Sequence, residues 1–374
     1  MLTTLAVSGY RSLRDVAVPL GALTVVTGAN GSGKSNLYRA LRLLASAGSG
    51  DIVGALAREG GLPSALWAGP EHGGGQGTVR QGPVAVRLGF AAHELGYLID
   101  LGLPQVGQSS PFSRDPEIKR EQVFAGAVSK PATLLIDRRR SQTRVRQDGW
   151  VDLRQQLAPF ESIVTDLADG DTAPELLSLR RTMSGWRFYD HFRVDGGAPA
   201  RRAQIGTRSH TLAHDGSDIA AVWATIVDAG QGAPLADAVG QAFPGARVEI
   251  TATDGLFQLS LHQPGLLRPL SAAELSDGTL RYILLCAALL PARPAPLIVL
   301  NEPEASLHPT LLPPLAALIE SAAERTQVIV VSHARDLIEH LSQGTRVELE
   351  GDPDGTRVAG QGLLDAPPWN WATR

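Results

Sequence analysis

This chain of 374 residues has almost no cysteine, very little lysine and no long run of apolar residues. Its single cysteine, Cys286, excludes an intrachain disulfide and fits a reducing compartment. Lysine occurs only at positions 34, 119 and 130, against thirty-one arginines, and a biased genomic composition accounts for that more plainly than a demand for phosphate contacts. The longest apolar stretch, around residues 282–290, is too short to span a bilayer, and the strand-like N-terminus shows no signal-peptide core. A cytoplasmic protein with no membrane partner is expected. The nine histidines lack the spacing of a structural zinc site. No Ser/His/Asp order, internal repeat or coiled-coil heptad stands out.

What is present describes a folded globular chain. Hydrophobic residues make up 43%, charged residues 19%, and the net charge is −4, so disorder is excluded. That charge does not suggest a surface coated for phosphate binding, although a local basic patch stays open. Residues 1–30 alternate like three strands, and helical spacing begins at Ser35. Two strand pairs are expected at "VAVRLGFAA"/"GYLIDLGL" and "ATLLIDRRR"/"TRVRQDGW", with a loop over residues 69–82. The pattern turns helical over 152–181 and again over 218–239. From Thr279 onward helix and strand alternate in the manner of a parallel sheet, and a last hairpin ends near residue 360.

"GANGSGKS", residues 28–35, matches the full phosphate-loop pattern and stands between a strand and a helix. Its glycines let backbone N–H groups turn around phosphate oxygens, and the helix N-terminus adds its positive dipole end. Asn30, Gly31, Ser32, Gly33, Lys34, Ser35 and Asn36 are therefore the candidate nucleotide ligands. Lys34 would reach the β- and γ-phosphates of ATP, and the Ser35 hydroxyl would ligate Mg²⁺. Taken alone, "LSDG" at 275–278 reads as a helix N-cap. Glu302 follows Ser276 by 26 residues, at the end of the apolar strand "LIVLNEPE", and His333 closes the next strand, "VIVVSH".

In this order, "GANGSGKS", "LSDGTLR", "LIVLNEPEASLHP" and "VIVVSH" resemble the ATP-binding-cassette ATPases. The RecF/SMC-like branch and RecF-like ATPases of the broad AAA class are most similar, through Asn36 and the "LHP" tail. That resemblance implies an α/β P-loop ATPase head, a mixed or parallel sheet flanked by helices. The expected layout is an N-terminal lobe over 1–151, a mostly helical insertion over 152–240 and a C-terminal lobe over 241–374. It further implies a head-to-tail homodimer around ATP, with Ser276 and Gly278 of one copy meeting the γ-phosphate bound by the other's Lys34. Glu302 would polarise the attacking water, His333 would act as the γ-phosphate switch, and Ser306 and Leu307 would cross the dimer interface. The stimulatory glutamine cannot be assigned among Gln81, Gln105 and Gln122.

One position departs from the pattern. The residue before the catalytic glutamate is usually acidic and helps hold Mg²⁺ through water; here it is Asn301. An amide oxygen still accepts a hydrogen bond from a metal-bound water but brings no charge, so slow hydrolysis is expected. Asn301 satisfying backbone groups at the strand end is the plainer alternative, and Glu304 is a second source of charge. Two functions stay open: an ATPase acting on DNA in repair, recombination or defence against mobile DNA, and a scarcely hydrolysing switch that recruits an effector such as a nuclease. A transporter ATPase is disfavoured, partly because no adenine-stacking aromatic is evident.

Several other groups invite two readings each. The arginines at 138, 139, 140, 144 and 146 would face water on a hairpin, the favoured reading, or meet nucleic-acid phosphates. Arg180, Arg181, Arg201 and Arg202 pose the same choice. Arg11 and Arg14 match basic positions that the resembling heads place near nucleotide or DNA. Trp186, Phe188, Tyr189 and Phe192, interleaved with Arg187 and Arg193, are core aromatics rather than a base-stacking surface. His308 is expected to shape the turn after Glu304.

Overall fold

A computed structural model describes residues 1–69, 85–104, 112, 114–167, 170–171, 173–190, 192–362 and 365–373. The chain forms two compact units. One contains Met1–Gly21, Val26–Trp186 and Arg346–Arg374; the other contains Ala22–Val25 and Arg187–Thr345.

The first unit is built on an antiparallel sheet. Alternating apolar residues make strands β1 (Leu2–Tyr10) and β2 (Leu13–Pro19), and β3 (Leu23–Gly28) leads into helix α1 (Lys34–Gly48). Two short helices, α2 (Ile52–Arg58) and α3 (Leu62–Ala65), precede β4 (Val86–Ala92) and β5 (Leu95–Gly102). Strands β6 (Glu117–Ala125), β7 (Leu134–Arg139), β8 (Gln142–Arg146) and β9 (Trp150–Asp152) complete an eight-stranded sheet in the order β2-β1-β4-β5-β6-β7-β8-β9. Both expected strand pairs form, β4 with β5 and β7 with β8. Of the expected loop over 69–82, only Gly69 lies among the described residues.

The helical expectation for 152–181 is only half met. Helices α4 (Ile163–Asp166) and α5 (Pro174–Ser184) form, but residues 153–162 carry no helix. Part of that segment instead serves a buried charge on β7. Arg138 is fully enclosed and pairs with Glu121 at 2.6 Å. Its remaining N–H groups take the carbonyls of Arg140, Ala158 and Glu161. Glu121 in turn accepts from Tyr97 Oη, Ser162 Oγ and the Ile163 N–H. A buried ion stays buried only when its hydrogen-bonding capacity is met, and this non-helical segment supplies the carbonyls of Ala158 and Glu161 to it.

The second unit carries the parallel strands. Residues 187–189 form β10, Gln204–Ile205 form β11, and helices α6 (Ile219–Asp228) and α7 (Gly232–Ala242) are separated by Gly230 at φ 76°. Strands β12 (Arg247–Thr253), β13 (Leu256–His262) and β14 (Leu270–Ser271) form a small antiparallel sheet with β11. Helix α8 (Asp277–Leu289) then buries every residue from Leu280 onward. Strand β15 (Leu297–Asn301), helix α9 (Leu312–Ala323), strand β16 (Gln327–Val331) and helix α10 (Arg335–His340) follow. Strands β10, β15 and β16 run parallel in that order, so the apolar run 297–300 is shielded on both faces, as a buried parallel strand must be.

The chain returns to the first unit through β17 (Thr345–Asp352) and β18 (Gly355–Val358). The expected lobe boundaries at 151/152 and 240/241 fall inside the compact units rather than between them. Residues up to Trp186 pack with the antiparallel sheet, whereas β10, within the expected insertion, is a neighbour of β15.

Candidate functional site

The phosphate loop belongs to the first unit. Gly28, Gly31 and Gly33 have φ of 142°, 82° and 103°, values that L side chains rarely adopt. A Cβ on Gly28 would lie 2.3 Å from the Leu349 carbonyl of β17, and one on Gly33 would lie 2.3 Å from Thr356 Oγ1 of β18. Glycine is thus required twice over, by backbone conformation and by the hairpin packed behind the loop. Lys34 opens α1 and folds back, donating to the carbonyls of Gly28 at 2.7 Å and Ala29 at 2.9 Å. Ser32 Oγ is buried with no hydrogen-bond partner among the described residues.

A cleft of about 770 Å³ opens beside the loop, lined by Asn30, Gly31, Ser32, Arg11, Trp67 and Asp352 among others. Asn36 donates from its amide to Ser12 Oγ at 2.8 Å; Ser12 meets Thr356 Oγ1 at 2.8 Å. Arg11, at φ 50°, is held by Glu59 at 2.8 Å, and Arg14 lies 3.7 Å from Asp354. Tyr10 also donates to Glu59, and burial followed by that carboxylate pushes its hydroxyl pKa upward.

The acidic cluster belongs to the second unit. Strand β15 ends at Asn301, opposite Val331 of β16. Glu302 turns out of the sheet with φ 49°, a left-handed conformation costing about 1–2 kcal/mol for a non-glycine residue. Two contacts hold it there: its N–H donates to the Val331 carbonyl at 2.8 Å, and its own carbonyl accepts from Arg281 at 3.1 Å. Glu302 Oε1 lies 3.4 Å from His333 Nδ1, and both side chains are half exposed. Glu304 points elsewhere: its buried Oε1 accepts from Ser332 Oγ at 2.6 Å and lies 3.3 Å from the Ala334 N–H. It braces the loop carrying His333, although one oxygen is 3.8 Å from that ring. The Asn301 amide has no hydrogen-bond partner among the described residues, so it does not serve backbone groups at the strand end.

Ser276 caps α8, its Oγ accepting from the Thr279 N–H at 3.2 Å. Gly278 approaches the segment after Glu302 so closely that a Cβ would meet the Ser306 carbonyl at 3.1 Å. Ser306 is also left-handed, at φ 62°. His308 caps the following turn through Thr310, as expected.

Residues 23–338 match the family described as "AAA domain, putative AbiEii toxin, Type IV TA system", AAA_21. The chain belongs to this family. AAA_21 membership makes it a P-loop ATPase, and ATP its nucleotide. The chromosome partition protein Smc of Mycolicibacterium paratuberculosis (strain ATCC BAA-968 / K-10) is 28% identical over 125 residues, 32% of this chain. The AAA_21 chain spans about a tenth of that relative's length. Its fold is that of SMC heads. The SMC head bound to the C-winged helix domain of ScpA superposes with a TM-score of 0.52 at 14% identity, covering 98% of this chain and 99% of that one. The SMC head domain from Thermotoga maritima gives 0.52 at 14%, covering 97% and 99%. Among the described residues, no helix is long and apolar enough to cross a membrane.

Three side chains that the structure places beside the candidate site carried no such signal in the sequence of this AAA_21 member. Arg281 lies beneath Glu302, and burial lowers its pKa against the attraction of Glu304 and Glu302. Arg201 is buried rather than available to nucleic acid. It donates to the Leu275 carbonyl at 2.7 Å and to Asp277 Oδ1 at 2.6 Å, fixing the turn that presents Ser276. Trp67 supplies an aromatic for which the sequence offered no evident position, at the wall of the phosphate-loop cleft. Of the glutamine candidates, Gln122 is buried and donates to Asp137, while Gln81 and Gln105 lie outside the described residues. Trp186, Phe188, Tyr189 and Phe192 are all core.

Proposed function

We propose that the chain binds Mg·ATP on the loop at 28–35, hydrolyses it slowly, pairs head to tail with a second copy around the nucleotide, and acts through that cycle on DNA. The observation that carries ATP binding is the loop itself: three left-handed glycines, a lysine folded over two loop carbonyls and an adjoining open cleft. Lys34 exchanges those carbonyls for phosphate oxygens. Ser276 and Gly278 at the N-terminus of α8 offer a second anion site, to the γ-phosphate held by the partner copy.

Glu302 is the residue that polarises water, and His333 shares its carboxylate at 3.4 Å. Among the described residues no group of three His, Cys, Asp or Glu could hold a metal, and the candidates Ser35 and Asn301 offer hard oxygens. Magnesium would supply charge neutralisation at the phosphates. Asn301 adds no negative charge to that role, hence the slow rate.

The test is an ATPase assay on wild type, Asn301→Asp and Glu302→Gln. Glu302→Gln lowers kcat by about 100-fold or more, and Asn301→Asp is faster at limiting Mg²⁺. An unchanged rate in Glu302→Gln defeats the catalytic assignment; no gain in Asn301→Asp defeats the charge argument.

The neutral Asn301 also favours a second reading, in which ATP gates dimerisation and recruitment of an effector such as a nuclease, with scarcely any turnover. Single-turnover hydrolysis measured beside ATP-dependent light scattering separates the two. Dimerisation without turnover selects the switch.

A further inference from the structure

The β7–β9 end of the first unit's sheet carries more positive charge than its partners neutralise. A cleft of about 320 Å³ is lined there by Arg120, Arg139, Arg144, Lys130, Trp150 and, on one wall, the tail residues 370–373. Three of the arginines converge on one carboxylate: Arg120, Arg139 and Arg144 lie 2.9, 3.3 and 2.8 Å from Asp137. Burial lowers the Arg120 pKa, and the neighbouring Arg139 and Arg144 push the same way against the pull of Asp137. The exposed Lys130 adds a fourth cation to the lining. Arg146, next along β8, donates to the Pro131 carbonyl and has no carboxylate partner among the described residues. The other nearby carboxylate is Asp152, opposite Arg144 across the strand pair; Asp148 lies in the turn beyond β8.

An aromatic ring stands among these cations. Trp150 is 39% exposed, with the Arg144 guanidinium 4.4 Å and the Arg146 guanidinium 5.8 Å from its ring centre. Indole and guanidinium are both flat, and a nucleobase stacks on either. Three arginine forks sharing one carboxylate keep uncompensated positive charge, which suits phosphate, and a nucleic acid supplies the flat base as well as the phosphate. Paired bases hide their faces inside a duplex, so an unpaired strand fits this platform.

We propose that the cleft binds single-stranded DNA, with phosphates on Arg139, Arg146 and Lys130 and a base on the Trp150–Arg144 platform. The proposal rests on the DNA reading above and assigns it a location.

The test is fluorescence anisotropy of a labelled oligodeoxythymidylate with the full chain, across a salt series, with a duplex of equal length in parallel. Trp150→Ala raises Kd about 5- to 100-fold, the range for loss of one stacked base, while Trp150→Phe restores most of it. The double substitution Arg139→Ala/Arg146→Ala flattens the log–log salt dependence by about 1.4, roughly 0.7 for each phosphate that an arginine no longer neutralises. These side chains are exposed, and retained ATP binding in each variant verifies an intact unit. Wild-type binding that neither variant weakens overturns the cleft and leaves the DNA reading standing. A wild type that binds neither oligonucleotide nor duplex overturns both. Preference for duplex, unaffected by Trp150→Ala, overturns the single-strand assignment.

Discussion

Asn301 and Glu302 are neighbours with opposite fates. Asn301 ends a strand in ordinary extended geometry, whereas Glu302 is forced into left-handed backbone and held there by Val331 and Arg281. Strain that is held by two independent hydrogen bonds positions the carboxylate reproducibly, which a water-polarising group needs. Arg281→Met removes one of those bonds, so kcat should fall more than the affinity for ATP, as steady-state kinetics beside equilibrium nucleotide binding will show. Trp67 bears on the other half of the chemistry. Its ring lies so near Gly355 that a Cβ there would sit 3.0 Å from it, and it lines the cleft adjoining the loop. Trp67→Ala should raise the Kd for ATP about 2- to 10-fold through loss of an aromatic stack, measured by titration calorimetry.

At the scale of elements, the buried pair Arg138–Glu121 organises more chain than any apolar residue near it. It ties β6 and β7 to the segment 158–163 through carbonyl and N–H groups that would otherwise need partners of their own. Arg138→Met leaves Glu121 charged and enclosed, which costs about 3–5 kcal/mol. Thermal melting should show a clear drop in Tm, and Glu121→Gln combined with Arg138→Met should recover part of it. Helix α8 shows the reverse economy. Its apolar length is legible at once, but its N-terminal turn is set by Arg201, seventy-six residues upstream of Asp277. No local pattern contains that pairing.

At the scale of the whole molecule, the chain lends Ala22–Val25 to the second unit, builds most of the first up to Trp186, forms the rest of the second from Arg187, and returns to the first at Arg346. The return matters for the phosphate loop, because Leu349 and Thr356 stand where side chains on Gly28 and Gly33 would go. The proposed function at this scale also calls for a second copy. Ser276→Arg should abolish ATP-dependent dimerisation in light scattering while leaving ATP affinity within about 2-fold, since the proposed partner of Ser276 is the other copy's nucleotide. A parallel loss of ATP binding would count against the head-to-tail arrangement.

The phosphate loop, the α8 cap and the strand leading to Glu302 could be read directly from the sequence, because each is a contiguous segment whose chemistry and backbone preferences are local. Glycines at fixed intervals, a serine before an apolar helix and a β-branched run carry their own physical meaning. Tertiary structure alone decided where Glu304 points and which arginines are buried. It also brought Trp67 to the cleft and the last hairpin to the loop. Those outcomes depend on partners tens to hundreds of residues away, and buried charges and open cleft walls are defined only when distant segments close around them.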